Sequence, residues 1–141
     1  MEDTEFLVTT WSVDRPLLQQ VRRQVFVIEQ RVPEEEEWDD DDEVCVHVLA
    51  TRNREPVGTG RLSPAGKIGR LAVLSEFRGR GLGDRIMRML IEQAYHRGLV
   101  EVTLNAQLQV VPFYEKRGFK AEGPVFDEAG IPHRRMRKAL R

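Results

Sequence analysis

The 141-residue chain has one cysteine, Cys45, and no apolar run that approaches the roughly 18 residues of a membrane-spanning helix. A single cysteine excludes an internal disulfide and any metal site built from several thiolates, and it is typical of a reducing compartment. The first residues, MEDTEF, have neither a basic stretch nor an apolar one, so they do not resemble a secretory signal. We therefore expect a cytoplasmic protein with no membrane partner.

Length and composition predict one globular domain over residues 1–141. Hydrophobic residues make up 40% and charged residues 32%, and the length suffices for one core but not for two. The net charge of -1 hides a separation, because residues 34–43 contain nine acidic side chains, which leaves 14 acidic against 22 basic residues, or +8, elsewhere. This acidic segment is either a solvated surface or an attraction for a cationic substrate. Its spacing lacks the glycine and glutamate of a calcium loop, and we expect no metal.

The hydrophobic pattern predicts an α/β chain in the order β, α, β, β, β, α, β, α, β, β. Strands are expected at residues 5–11, 44–51, 57–62, 67–74, 100–106, 119–123 and 133–140. Helices are expected from Asp14, from Leu82 to His96, and from Val111 to Arg117. The first helix would present an apolar face made of Leu17, Leu18, Val21, Val25 and Ile28. The order favours a mixed sheet covered by helices.

A glycine-rich segment, SEFRGRGLGDRIM at residues 75–87, connects a predicted strand to a predicted helix. Gly79, Gly81 and Gly83 let the backbone approach a ligand closely, and the helix N-terminus adds free N–H groups and partial positive charge. The spacing excludes a Walker loop and a dinucleotide-binding loop, because Asp84 stands where the first needs lysine and the second needs glycine. By itself the segment is either an anion cradle or a plain turn.

Two longer stretches, LAVLSEFRGRGLGDRIMRML and the downstream NAQLQVVPFYEKRGF, resemble the two acetyl-CoA motifs of the GNAT acyltransferases in order and spacing. FVIEQRVPEEEEWDDDDE, NAQ and DEAGIPHRRM are similar to the small bacterial ElaA-like branch of that superfamily. The resemblance covers the whole chain. It implies a mixed, mostly antiparallel sheet of six to seven strands, splayed between strands 4 and 5 and flanked by about four helices.

The resemblance also implies acetyl-CoA as the co-substrate. The pyrophosphate of coenzyme A would bind the glycine-rich loop, and its pantetheine arm would pair with the fourth strand. An N–H near Val73 would hold the thioester carbonyl, Asn105 would face the coenzyme arm, and Arg85 would be a further cation for the phosphates. The implied cofactor-binding residues are Leu71, Ala72, Val73, Arg78, Gly79, Arg80, Gly81, Leu82, Gly83 and Asn105.

Two residues carry the implied catalysis. Tyr114 matches the general acid of many GNAT members, and a phenol with an ordinary pKa near 10 is protonated at neutral pH. The glutamate that many members place on the fourth strand as the base is missing, because residues 68–70 are Ile, Gly and Arg. We predict His133 or a water relay instead, since a histidine's ordinary pKa near 6.5 suits proton removal. A comparable late histidine is the proposed base of the glyphosate N-acetyltransferase group.

These features predict an acetyl-CoA-dependent N-acyltransferase that moves an acetyl group to a small-molecule primary amine by direct attack in a ternary complex. The alternative is a CoA-binding sensor or partner-binding module without catalysis, which the missing strand carboxylate favours. Nucleic-acid binding is not expected, because no nucleic-acid motif is present. The acceptor's identity and a homodimer stay open. Glu29 and Gln30 are candidates for the substrate side, and His47 and Cys45 are interpreted as structural.

Overall fold

The structure, a computed structural model, describes residues 3–141. Its strands are β1 (Thr4–Thr9), β2 (Val46–Arg52), β3 (Glu55–Leu62), β4 (Ile68–Val73), β5 (Glu101–Gln107), β6 (Lys120–Glu128) and β7 (Ile131–Ala139). Its α-helices are α1 (Trp11–Arg22), α2 (Glu34–Glu37), α3 (Leu82–His96) and α4 (Val111–Glu115). The predicted mixed α/β class, with mostly antiparallel strands and about four helices, is confirmed.

The seven strands form two antiparallel sheets that meet at β4 and β5. The first has the order β1-β2-β3-β4 and the second the order β5-β7-β6. Within residues 3–141, their backbones are joined by one isolated parallel bridge between Lys67 and Thr103, where the Thr103 N–H donates to the Gly66 carbonyl at 3.0 Å. Beyond this bridge the two strands separate, so each presents a free edge to the gap. The splay predicted between strands 4 and 5 is therefore present.

Helices α1 and α3 cover opposite faces of the first sheet. Leu49 of β2 packs with Leu18 of α1, whereas its neighbour Val48 belongs to the core cluster around Ile86 of α3. Successive strand residues point to opposite faces, so the two helices lie on opposite sides. The same core cluster contains Leu104 of β5, which places α3 beneath both sheets and the splay between them.

The first helix differs from the prediction at both ends. It begins at Trp11, and Asp14 interrupts it with φ −121° and ψ 24° while its carboxylate accepts a hydrogen bond from the Thr9 hydroxyl at 2.5 Å. After Arg22 the chain continues as a π-helix over Arg23–Glu29. The wider π turn rotates the helical face, so Ile28, predicted to be on the apolar face, is 58% exposed.

Two strands also differ from the sequence-based prediction. The nearly unbroken apolar run at residues 67–74 predicts that β4 is buried on both faces. Instead, a register shift in its pairing with β3 surrounds Arg70, whose φ is 51°, and Leu71 and Val73 are only half-buried. The closing hairpin is longer than predicted, because β6 runs past Gly123 through a second register shift. Its tight turn uses the left-handed Ala129 and Gly130, with φ of 52° and 76°.

Ion pairs hold part of the acidic segment, and those of Arg22 are buried. Arg22 is 1% exposed and donates to Glu37 at 2.8 Å and to Asp42 at 2.6 Å, while Arg61 donates to Asp39 and Asp42 at 2.7 Å. Burial raises the pKa of Glu37, whereas the hydrogen bond from Arg61 lowers the pKa of Asp39 to about 2. These carboxylates therefore anchor the segment to β3 and α1, and the other acidic residues of the segment are exposed.

Candidate active site

The glycine-rich segment forms an open cradle at the start of α3. Gly79 and Gly81 have φ of 77° and 82°, the left-handed region that favours glycine, and no atom lies within 4 Å of the position that a Cβ would occupy at either residue. Gly81 precedes the first helical residue, and the first-turn N–H groups of Leu82 and Gly83 have no intrahelical partner. A diphosphate fits this arrangement of open space, free N–H groups and helix dipole.

Two arginines beside the cradle extend their guanidinium groups over aromatic rings. Arg80 lies 5.4 Å from the ring centre of Phe77, and Arg85 lies 5.0 Å from that of Phe6. Both side chains are exposed, and neither forms an ion pair with a residue in the described part of the chain. Arg80 and Arg85 are therefore available to an anion in the cradle.

Arg78 is engaged differently from Arg80 and Arg85. Its Nη atoms donate to both oxygens of Glu29 at 2.6 and 2.7 Å, and its Nε donates to the Val73 carbonyl at 2.9 Å. The hydrogen bond raises the pKa of Arg78 and lowers the pKa of Glu29. The backbone N–H of Arg78 donates to the Ser75 carbonyl at 3.3 Å, so the free N–H groups of the cradle begin at Gly79.

The free edge of β4 offers backbone groups next to the cradle. The Leu74 N–H donates to the Val57 carbonyl of β3 at 2.9 Å. Because neighbouring residues of a strand direct their backbone groups to alternate sides, the N–H and carbonyl of Val73 point to the gap between the sheets. Ala72 is 4% exposed and packs with Val21 and Val25, which fixes this part of the strand.

Tyr114 lies in the core beneath the splay. It is 9% exposed, and its ring makes edge-to-face contacts with Phe113 and Phe119 at 5.2 and 5.6 Å between ring centres. Val73 packs against the same hydrophobic cluster. Burial raises the pKa of the Tyr114 hydroxyl to about 12, and no residue in the described range hydrogen-bonds to it. The hydroxyl is therefore protonated at neutral pH and can donate a hydrogen bond.

His133 is held in one orientation on β7. Its ring is 6% exposed, stacks on Phe126 at 6.0 Å between ring centres, and has Nδ1 at 2.6 Å from the carbonyl of Ile131. Because a carbonyl only accepts, Nδ1 carries the proton of the neutral ring and Nε2 carries the lone pair. Nε2 lies 3.5 Å from Oε2 of Glu128, a residue of β6.

Polar side chains surround His133 on the same face of the second sheet. Asn105 donates from Nδ2 to Oε1 of Glu128 at 3.2 Å, and Gln107, opposite His133 in the β5–β7 register, donates to Gln30 at 3.1 Å. Strand alternation puts Asn105 and Gln107 on the face opposite to Ala106 and Leu104, which pack with Tyr114. The candidate base and the candidate acid therefore lie on opposite sides of the second sheet.

The sequence reasoning did not identify Glu128 or Gln107. No local sequence pattern identifies them. Glu128 can be placed next to His133 only when the β6–β7 turn is known, and Gln107 can be placed there only when the β5–β7 register is known.

His47 is 1% exposed, has Nε2 2.9 Å from the Asp42 carbonyl, and has its pKa lowered by burial. Burial raises the pKa of Cys45 to about 11.

Within residues 3–141, no cluster of three His, Cys, Asp or Glu side chains is arranged to hold a metal ion. None of the helices in that range has the length and the apolar character that crossing a membrane requires.

The chain is similar in sequence and in fold to proteins named as acetyltransferases or acyltransferases. Residues 15–140 match the acetyltransferase (GNAT) domain. The uncharacterized N-acetyltransferase YjcF of Bacillus subtilis is 42% identical over 84% of this chain and 87% of its own. The crystal structure of an acyl-CoA N-acyltransferase from Pseudomonas aeruginosa has a TM-score of 0.88 at 31% identity and covers 96% of this chain and 99% of that one. Escherichia coli ElaA gives a TM-score of 0.85 at 30% identity, covering 95% and 99%.

The chain therefore belongs to the GNAT acetyltransferase family, and it is an acetyltransferase. The resemblance to the ElaA-like branch is confirmed by the 33% identity to ElaA over 82% of the chain.

Proposed function

We propose that the protein transfers an acetyl group from acetyl-CoA to a primary amine by direct attack within a ternary complex. The observation that carries the proposal is the splay itself. The open glycine cradle and the free edge of β4 lie beside one another there, and Tyr114 and His133 lie on opposite faces of the second sheet. The name of the Pseudomonas aeruginosa relative, an acyl-CoA N-acyltransferase, supports the choice of donor.

On this proposal the donor binds along β4 and the start of α3. The N–H groups from Gly79 to Gly83 hold the pyrophosphate, with charge from Arg80 and Arg85. The pantetheine arm pairs with the free edge at Leu71, Ala72 and Val73, and Asn105 faces this arm from β5. The Val73 N–H points into the splay, where it would stabilise the negative charge that develops on the thioester oxygen.

The two proton transfers involve residues on opposite faces of the second sheet. The acceptor enters on the polar face, and Nε2 of His133 or a water beside it removes a proton from the acceptor nitrogen. The nitrogen forms the amide bond as the carbon–sulfur bond breaks, and the Tyr114 hydroxyl protonates the departing thiolate. The second proton that the nitrogen loses restores the Tyr114 hydroxyl, and the proton on His133 passes to solvent. Overall an ammonium ion and acetyl-CoA become an amide, free CoA thiol and one proton. Holding both substrates in line supplies much of the remaining rate advantage.

Release of CoA thiol from acetyl-CoA across a panel of primary amines tests this proposal. We expect at least one amine to raise thiol release well above hydrolysis, with the N-acetyl product seen by mass spectrometry. If acetyl-CoA binds but every amine gives only background hydrolysis, transfer to a primary amine is rejected.

A further inference from the structure

Nε2 of His133 and Oε2 of Glu128 face each other at 3.5 Å. Nδ1 already donates its proton to the Ile131 carbonyl, so Nε2 of the neutral ring is an acceptor. An ionised carboxylate is likewise an acceptor only. With the ring neutral, a hydrogen-bond donor placed beside both atoms would satisfy both acceptors.

The His133–Glu128 pair is open to solvent at Glu128. The His133 side chain is 8% exposed, whereas that of Glu128 is 45% exposed. Phe126, which stacks on His133, also lines a cavity of about 530 Å³ on the same face of the second sheet. Its lining residues are Asn105, Glu122, Gly123, Pro124, Phe126 and Arg135. Two of these residues contact the pair, Phe126 by stacking on His133 and Asn105 by its hydrogen bond to Glu128, so the cavity lies next to the His133–Glu128 pair.

Glu128 is held so that one of its oxygens stays free. Asn105 donates to Oε1 at 3.2 Å, and Oε2 is the oxygen that faces His133. Asn105 belongs to β5, the strand that borders the splay, so the carboxylate on the hairpin is tied to the edge where the thioester would lie.

We propose that Glu128 binds the acceptor as an ammonium ion, so that the acceptor class is a cationic primary amine. This inference rests on the proposed function. A protonated amine has three N–H donors, of which one reaches Oε2 of Glu128 and another reaches Nε2 of His133. Transfer of that second proton to Nε2 leaves a neutral amine, whose lone pair is then free to attack. Glu128 thus selects the charged acceptor and His133 activates it.

The binding half of the proposal can be tested without turnover. The full chain contains three histidines, which makes ¹⁵N NMR of the imidazoles a direct probe of His133 once His133→Gln has assigned its signal. The probe ligands are n-butylamine and 2,2-difluorobutylamine at pH 8.5, because fluorine lowers the basicity of the amine and leaves the second compound largely neutral. Glu128→Gln is compared with Asp127→Asn, which removes an adjacent acid whose strand position points to the other face.

We expect butylammonium to perturb Nε2 saturably in the natural chain. Glu128→Gln should weaken its binding about 10-fold or more, as expected for the loss of a charge-assisted hydrogen bond, and Asp127→Asn should change it less than about 2-fold. Binding of the difluorinated amine should be weaker in the natural chain and insensitive to Glu128→Gln. The proposal is overturned if butylammonium leaves Nε2 unperturbed, or if Glu128→Gln changes neither amine or both equally.

This result is separable from the proposed function. Glu128-dependent binding of butylammonium without release of CoA thiol from any amine would retain the ammonium site and reject the N-acyltransferase. If amines do cause thiol release, but the KM for butylamine is the same in Glu128→Gln as in the natural chain, the N-acyltransferase is retained and the ammonium site is rejected.

Discussion

Arg78 and Glu29 form a bidentate ion pair, at 2.6 and 2.7 Å, across the mouth of the splay. Arg78 precedes the glycine cradle, and Glu29 is the last residue of the π-helix that follows α1. Because Arg78 also donates to the Val73 carbonyl, one side chain connects the π-helix, the edge of β4 and the cradle. Each partner is about 40% exposed, so solvent screens the pair and its value for stability is small.

Glu29→Gln should strengthen binding of coenzyme A. The Glu29 carboxylate competes with a phosphate for the Arg78 guanidinium. Removing the negative charge of Glu29 therefore frees the cation of Arg78, the residue directly before the cradle. We expect the Kd for CoA by calorimetry to fall about 2- to 5-fold at low salt and less at high salt, with little change in the unfolding midpoint. Arg78→Gln, the matched variant, should not strengthen binding. Weaker CoA binding in Glu29→Gln would mean that Glu29 positions Arg78 rather than competing for it.

Gly81→Ala and Gly98→Ala should lower stability to a similar extent, but only Gly81→Ala should weaken the binding of CoA. Gly81 and Gly98 lie at the two ends of α3, both have φ of 82°, and a Cβ at either would meet no atom within 4 Å. Alanine at each therefore costs backbone strain alone, about 1–2 kcal/mol of unfolding free energy in urea. Only at Gly81 does the methyl group enter the cradle, where we expect CoA affinity to fall about 10-fold or more. Equal CoA affinities in the two variants would place the pyrophosphate elsewhere.

Tyr114→Phe should lower kcat with little effect on the KM for acetyl-CoA. Loss of a general acid costs about 10²-fold or more, and the hydroxyl has no partner in the described chain whose loss would unfold it. Tyr95→Phe is the control, because Tyr95 is the other tyrosine and is 48% exposed. An acid of pKa about 12 stays protonated through the alkaline range, so Tyr114 should add no falling limb to the kcat profile below pH 10. Unchanged kcat in Tyr114→Phe would remove the tyrosine from the mechanism.

The donor half of the site was accessible from sequence because its requirements are local. The left-handed φ angles at residues 79 and 81 favour glycine whatever the rest of the fold is. The start of α3 follows from the helical pattern of the residues after it. The splay was accessible only through the family resemblance, since nothing in the apolar run of β4 shows which strand it leaves unpaired.

The acceptor half depends on distant pairings that no local pattern shows. Glu29 lies 49 residues from Arg78, and Gln30 lies 77 residues from Gln107. Glu128 reaches His133 because a register shift extends β6 past Gly123 and Pro124, residues that read as the end of a strand. The π turn after Arg22 likewise changes which side chains of the first helix face the site. These features are set by tertiary packing rather than by propensity.

Arg22→Ala should be among the most destabilising single changes in the chain. Arg22 is 1% exposed, and its removal takes away hydrogen bonds from the buried side chains of Glu37 and Asp42, which are 4% and 1% exposed. Each carboxylate is then left with one arginine, Arg70 at 3.1 Å from Glu37 and Arg61 at 2.7 Å from Asp42. Breaking a buried ion pair in this way costs about 3–5 kcal/mol. Arg23→Ala is the control, because its pair with Glu34 is exposed and should leave the unfolding free energy in urea nearly unchanged. Similar losses in the two variants would contradict the structural role of the buried network.

Asp39→Asn should make the free energy of unfolding less dependent on pH between about pH 2 and pH 4. The hydrogen bond from Arg61 lowers the pKa of Asp39 from 3.8 to about 2. A carboxyl whose folded pKa lies below its unfolded value stabilises the fold above the unfolded value, and that contribution is lost as the pH falls from about 4 towards 2. Allowing for solvent at this half-exposed group, we expect Asp39→Asn to lose about 1 kcal/mol at pH 6 and almost nothing at pH 2.

The side chain of asparagine can still accept the hydrogen bond that Asp39 receives from the Asp41 N–H, so the substitution removes the charge and keeps the cap. Glu37 acts in the opposite direction, because a raised carboxyl pKa contributes stability that is lost as the pH rises through it. Both chains retain Glu37, so the difference between their urea midpoints from pH 2 to pH 6 isolates Asp39. Asp40→Asn, in an exposed position of the same segment, should follow the natural chain throughout. If the urea midpoint of Asp39→Asn differed from that of the natural chain by the same amount at every pH, the pair with Arg61 would not depend on the charge of residue 39.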